Sequence, residues 1–261
     1  MIPRADIIAW RASAPWRTNE QVEQDLIICR ALVEMFRDPV LRSQLAFRGG
    51  TALHKLYLPP PIRYSEDIDL VQLKAGPIGG ILDSIRKTLS FLGHPRVRQK
   101  GMNNTMVFSC DSEIPPIVAL KLKVEINCRE HFSSFKLTTL PFTIESRWFS
   151  GECELLTYNL EELLGSKLRA LYQRKKGRDL FDLWYALTKA EPDPKKVIQA
   201  FQEYMKSVDC VVTRRQFSQN LQKKLSDPDF EGDILGLLRP EVAYHMDEAY
   251  QLVNRKLIEQ L

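Results

Sequence analysis

Between Ile117 and Asn127, the apolar Leu120, Leu122, Val124 and Ile126 alternate with Lys121, Lys123 and Glu125. That period of two fits a strand with one apolar and one polar face and excludes a helix. A second alternation, RYSEDIDLVQ from Arg63 to Gln72, sets Asp67, Asp69 and Val71 on one side and Ile68 and Leu70 on the other. Shorter extended stretches are expected at Leu45–Arg48 and Thr105–Cys110. Helical segments fall between them. One runs from Glu20 to Phe36, capped by Asn19 and striped by Val22, Leu26, Ile27, Ala31, Val33 and Met35. Another runs from Thr51 to Leu58 and is stopped by Pro59, Pro60 and Pro61. A third lies near Ile81 to Phe91. Strands interleaved with helices predict a mixed α/β front half.

The pattern changes near Asn159. Leu160, Leu163, Leu164, Leu168 and Leu171 stripe a helix, a KKG break follows, and a second helix is expected from Arg178 to Lys189. Turns are expected between Glu191 and Lys196 and at Asp227 to Asp229, before a last amphipathic helix from Glu241 to Ile258. The expected organisation is a core over residues 1–150 and a mainly helical portion over 151–261 that completes the site. A chain of 261 residues buries enough apolar surface for this without covalent staples.

The five cysteines, Cys29, Cys110, Cys128, Cys153 and Cys210, are scattered and lack the spacing of a zinc site or redox pair, so free thiols in a reducing compartment are expected. No apolar run approaches the ~20 residues that span a bilayer. The first residues, MIPRADIIAWRASAPWR, carry arginines and prolines where a signal peptide is apolar. A cytoplasmic protein with no membrane partner is the expectation. A net charge of +4 diagnoses no partner by itself, because clustering makes an electrostatic footprint. Two clusters stand out: Lys167, Arg169, Arg174, Lys175, Lys176 and Arg178, and more loosely Arg214, Arg215, Lys223 and Lys224. Either is as readily a solvated helix face as a nucleic-acid contact.

The residues that bear chemistry are RGGTALHKLY followed, after a short loop, by RYSEDIDLV. Aspartates at i and i+2 on a strand share a face and together can hold Mg²⁺ against a triphosphate. Asp67 and Asp69 meet that requirement. Gly49 and Gly50 lack Cβ atoms, so their backbone can approach a ligand, and Thr51 is expected to open a helix whose positive end favours phosphate. Taken alone, the glycines are an ordinary tight turn and the Asp-X-Asp a chance pair. Glu125, on the polar side of its strand, is a candidate third carboxylate, as metal ligand or base. Arg48, Arg63 and Arg178 could fork onto phosphate oxygens of nucleotide or acceptor. Tyr57, Tyr64 and His54 are expected to pack or cap locally.

The segments GGTAL, SEDIDL and GSKLRALYQRKKGRDLFDLWYAL, in that order, resemble the nucleotidyltransferase toxins of the AbiE abortive-infection type, including the related MenT toxins of mycobacteria. The likeness extends over roughly Gln21 to Leu187. It implies a polymerase-β-like nucleotidyltransferase core with a helical C-terminal portion. It also implies that Ser65, Asp67, Lys167 and Asp182 lie in the active site, that Asp69 completes the metal pair, and that Gly49, Gly50, Thr51, Ser65 and Lys167 meet the nucleotide. Transfer of a nucleotide from an NTP to RNA, above all to a tRNA 3′ end, follows from the same likeness, as does a cognate antitoxin in a phage-defence pair. Physically, a positioned Lys167 ammonium neutralises charge moving toward pyrophosphate, and Asp182 would orient Lys167 or Arg178. A small-molecule acceptor and a catalytically idle nucleotide-binding module are the alternatives that these residues leave open.

Overall fold

In a computed structural model, which describes residues 2–261, the alternating segments form one seven-stranded mixed sheet. Its strands are β1 (Leu45–Arg48), β2 (Asp67–Gln72), β3 (Arg96–Lys100), β4 (Asn103–Asp111), β5 (Ala119–Asn127), β6 (Thr138–Glu145) and β7 (Ser150–Thr157). They lie in the order β3-β4-β5-β2-β1-β7-β6. β2 pairs antiparallel with β1 and parallel with β5, which sets Asp69 opposite both Arg48 and Glu125, and Asp67 opposite Lys123. The expected alternation of β5 is realised: Leu120, Leu122, Val124 and Ile126 are buried and the charged residues between them are not. The carboxylate strand is thus central, with its polar face open.

The α-helices are α1 (Arg4–Trp10), α2 (Asn19–Arg37), α3 (Pro39–Gln44), α4 (Gly49–Ala52), α5 (Gly79–Thr88), α6 (Leu160–Gln173), α7 (Gly177–Lys189), α8 (Pro194–Lys206), α9 (Arg214–Leu225), α10 (Pro228–Leu235) and α11 (Met246–Lys256). α2 packs on β5, β6 and β7 and, with α5, covers the apolar face of the sheet. A second apolar core joins α6 to α8 and α7 to α11. It also takes in Leu53 and Leu58, so the segment after the glycine pair is packed against the helical half.

Several boundaries differ from expectation. Thr18, not Asn19, caps α2: its hydroxyl accepts from Gln21 N while the Gln21 side chain accepts from Thr18 N, a reciprocal box that satisfies two end groups. The helix expected at Thr51 begins at Gly49 and passes into a π-helical turn over Leu53–Tyr57. Residues 63–66 lie outside the sheet, because Arg63 and Tyr64 pair instead with the segment at Leu237 and Leu238. α8 and α10 start inside the expected turns, where Asp193 and Asp227 cap helices that carry Pro194 and Pro228 in the first turn. The last helix covers Met246–Lys256 only. No described helix is long and apolar enough to cross a membrane.

Candidate active site

β1 ends at Arg48, and the chain turns at once into α4 through Gly49 at φ +82°. Antiparallel pairing fixes Asp69 across from that turn. A Cβ on Gly49 would lie 2.0 Å from Asp69 Oδ2, and one on Gly50 would lie 2.4 Å from an Arg63 guanidinium nitrogen. The glycine pair is therefore demanded first by the protein's own side chains, one for each glycine. Thr51 is buried. Its hydroxyl donates to the Asp67 carbonyl at 2.5 Å and lies 2.8 Å from the Ser65 hydroxyl, so it ties the start of β2 to α4 from beneath.

Two adjoining clefts meet at this point. One is lined by Gly50, Arg63, Ser65, Asp67, Asp69, Lys167, Arg174 and Arg178. The other continues past Arg48, Gly49, Asp69, Lys167, Arg169 and Arg174. Asp69, Lys167 and Arg174 face both, so the carboxylate strand and α6 form opposite walls of one site. Lys167 is carried by α6.

Asp182 is wholly buried behind that wall. It accepts from His54 Nε2 at 2.8 Å and from Arg63 Nε and Nη2 at 2.8 and 3.1 Å, and its Oδ2 lies 2.8 Å from Lys167 Nζ. Burial alone would raise its pKa, but Arg63, Lys167 and His54 hold it well below the usual carboxylate range. Asp182 thus positions Lys167 without lining the cleft. It pairs with Lys167 rather than Arg178, which approaches Asp233 at 3.6 Å. Arg63 is likewise committed: its remaining guanidinium nitrogen donates to the Tyr64 carbonyl, which makes it a buried strut. His54 is no local cap, since its partner lies across the fold.

Three residues of the site were not among the candidates that the sequence offered for it. Asp179, fully buried, holds Lys167 at 3.2 Å and receives Arg174 through two bonds of 2.7 and 2.8 Å. Arg174 carries that charge into both clefts. Lys123 reaches toward Asp67 Oδ1, 3.6 Å away, because the parallel register sets the two side by side. The i, i+3 spacing of Asp179 and Asp182 puts them on one helix face in the sequence; Lys123, which the sequence sets beside Glu125, turns to Asp67 through a strand pairing that is not legible there.

Asp67 bears on metal binding. Its Oδ1 is buried without a hydrogen-bond partner. Burial first, then the neighbouring Asp69, Glu66 and Glu125 carboxylates against the opposing pull of Lys123, push its pKa up to about 6. A carboxylate oxygen that makes no hydrogen bond, with the Lys123 ammonium no closer than 3.6 Å, beside a second carboxylate fits a divalent cation that takes its other ligands from phosphates. Among the described residues no three His, Cys, Asp or Glu side chains converge as a metal cage, so Glu125 is not gathered with the pair. It stands opposite Asp69 with its own pKa raised by burial and by that neighbour.

The fold is similar to that of a candidate nucleotidyltransferase from H. pylori, with a TM-score of 0.54 at 19% identity over 94% of this chain and 99% of that one. That likeness shows the fold, and the class, the nucleotidyltransferases, follows from a family match. Residues 30–252 match the nucleotidyl transferase AbiEii toxins of type IV toxin–antitoxin systems, and the chain belongs to that family. Another similar structure is MenT4, a nucleotidyltransferase toxin from Mycobacterium tuberculosis, at 15% identity over 97% of this chain and 99% of that one, with a TM-score of 0.49. Comparison with curated proteins gives no match.

Proposed function

We propose that this nucleotidyltransferase moves a nucleotide from an NTP to the 3′ hydroxyl of an RNA, with tRNA as the expected acceptor, and so acts as the toxin of a phage-defence pair held in check by an antitoxin. The observation that supports it most is the opposition of charge across the cleft: paired carboxylates on β2 face Lys167 and Arg174 on the α6 side. One wall suits a metal-bound triphosphate and the other the charge that leaves with pyrophosphate.

Asp67 and Asp69 are the residues that would hold Mg²⁺, which when bound offsets triphosphate charge and favours the ionised acceptor oxygen. Lys167 and Arg174, held by Asp179 and Asp182, bind the phosphates. Ser65, whose hydroxyl faces the same cleft, donates to a phosphate oxygen by turning its proton away from Thr51. Arg48 and Arg178 stand at the margins as further phosphate contacts. The acceptor oxygen bonds to the α-phosphorus, the bond to the bridging oxygen breaks, and the hydroxyl proton passes to Glu125, whose raised pKa suits a base. We divide the chain for this purpose into the core of residues 1–150 and the helical portion of 151–261 that brings Lys167. Both NTP and tRNA are cytoplasmic, and the cytoplasm is the compartment that this reading assigns.

The test is incubation with total RNA, Mg²⁺ and each α-³²P-labelled NTP in turn, beside an Asp67→Ala, Asp69→Ala variant. A tRNA-sized labelled band that one NTP produces and the variant does not is the expected result. Failure of every NTP to label RNA while nucleotide still binds would overturn the RNA reading and favour a small-molecule acceptor or an idle module.

A further inference from the structure

The basic run visible in the sequence is largely ion-paired within the fold, with Glu130, Asp179 and Asp233 each shared by two cations. Arg169 pairs with Glu130, Arg174 with Asp179, Lys175 with Asp227, and Lys176 and Arg178 with Asp233. Two strands of the sheet carry cations that are left without an ion pair. Arg96, Arg98 and Lys100 on β3 and Lys121 on β5 are exposed, and none has an ion-pair partner among the described residues.

Strand register gathers them. Arg98 lies opposite Thr105, Thr105 opposite Glu125, and Glu125 opposite Asp69. In the neighbouring row Arg96, Val107, Lys123 and Asp67 follow in the same way. Paired residues share a face, so both rows run along the open side of the sheet into the carboxylate pair. Three strand spacings put Arg96 and Arg98 about 14 Å from β2. Two acids of β4 and β5 share this face: Glu125, within the row beside Asp69, and Asp111, at the end of β4 opposite Ala119. Cations on β3 alone would serve to guard a sheet edge. Lys121 is on an interior strand, where no edge needs guarding.

We infer that the open face of β3, β4 and β5 is the track along which the sugar–phosphate backbone of the acceptor strand reaches Asp67 and Asp69. The inference rests on the RNA-directed reading above. Phosphates of the acceptor strand lie over Arg96, Arg98 and Lys121, while the helical basic run serves the internal architecture and the NTP phosphates.

The experiment compares the wild type with Arg96→Gln/Arg98→Gln/Lys121→Gln, and with a control that removes three exposed charges from α8, Lys195→Gln/Lys196→Gln/Lys206→Gln. Fluorescence anisotropy with end-labelled bulk tRNA is measured over a salt series, and tRNA labelling by α-³²P NTP is measured in parallel. The face variant is expected to bind about 10-fold or more weakly, with its salt dependence flattened by roughly 2 in log–log slope, at about 0.7 per lost phosphate contact. The control is expected to match the wild type, and melting by circular dichroism to be unchanged in both. Arg98→Glu, made separately, is expected to weaken binding more than Arg98→Gln. A wild type that binds and labels tRNA, together with a face variant and an Arg98→Glu that do so equally well, overturns the track alone. A wild type that neither binds nor labels RNA overturns the reading beneath it and the track with it.

Discussion

Asp69 Oδ2 fills the space that a Cβ on Gly49 would need, 2.0 Å from where that atom would sit. The contact is not relieved by turning the carboxylate, since the Asp69 Cβ is itself 2.8 Å from the same point and is fixed by the pairing of Asp69 with Arg48. Gly49 also has φ +82°, where an L side chain costs about 1 kcal/mol or more.

Gly49→Ala is therefore expected to displace Asp69 and lower nucleotide transfer by roughly 100-fold, a barrier change of about 3 kcal/mol. The stability loss should be only about 1–3 kcal/mol, within reach of chemical denaturation. Labelling assays and urea unfolding on one preparation measure both. An alanine variant with wild-type transfer would show that Asp69 need not lie against this turn.

Asp67 and Asp182 should respond oppositely to loss of charge. The Asp67 carboxyl is raised to about 6 in the fold against an ordinary value near 4. In metal-free buffer its contribution to stability is complete below about pH 4 and is lost as pH rises through 6, so at pH 7.5 the ionised group is a burden. Asp67→Asn should raise stability by about 1 kcal/mol and Tm by roughly 2–4 °C while abolishing transfer. It should also flatten stability against pH between 4 and 6. Asp182→Asn leaves Arg63 and His54 without their anion and weakens the hold on Lys167, at a cost of about 3–5 kcal/mol. Calorimetry across pH separates the two; a destabilised Asp67→Asn would contradict the burden argued here.

The contrast explains what was legible in the sequence. Asp67 and Asp69 could be read because their i, i+2 spacing on an alternating strand fixes a shared face through backbone geometry alone. The α/β front and helical back were visible for the same reason, since β5, α2 and α6 carry clean apolar periods. β3 escaped notice because all five of its residues are exposed and it has no apolar face to betray it. The burial of Arg63 and the use of His54 also escaped, because their partner Asp182 lies 119 and 128 residues away. Nor does charge counting distinguish Lys176, paired to Asp233, from Arg98, which is paired to nothing among the described residues.

Glu130 accepts from Arg48 at 2.8 Å and Arg169 at 2.6 Å, and so braces β1 against α6 along the cleft. Burial would raise its pKa, but the two guanidinium groups hold it near 2. Its stabilisation is then complete above an unfolded value near 4.3 and is lost as pH falls toward 2. Glu130→Gln should cost about 1–3 kcal/mol at neutral pH and flatten the acid limb of stability below pH 4. Urea midpoints between pH 3 and 7 measure it, and an acid limb unchanged by the substitution would remove Glu130 from this role.

Gly165 sits two residues before Lys167 on α6, at the crossing with α8. A Cβ there would lie 2.5 Å from Ala200 Cβ, 2.9 Å from Phe201 N and 3.0 Å from the Val197 carbonyl. Two of those neighbours are backbone, so relief requires the helices to part. Gly165→Ala should cost about 1–3 kcal/mol. Because the parted helix carries Lys167, nucleotide affinity should fall as well. Adding Ala200→Gly removes the side-chain contact and leaves the two backbone contacts, so rescue should be partial in both Tm and nucleotide binding. Full rescue would mean that the methyl of Ala200 alone sets the spacing; restored Tm without restored binding would mean that the position of Lys167 is controlled from elsewhere, by Asp179 and Asp182.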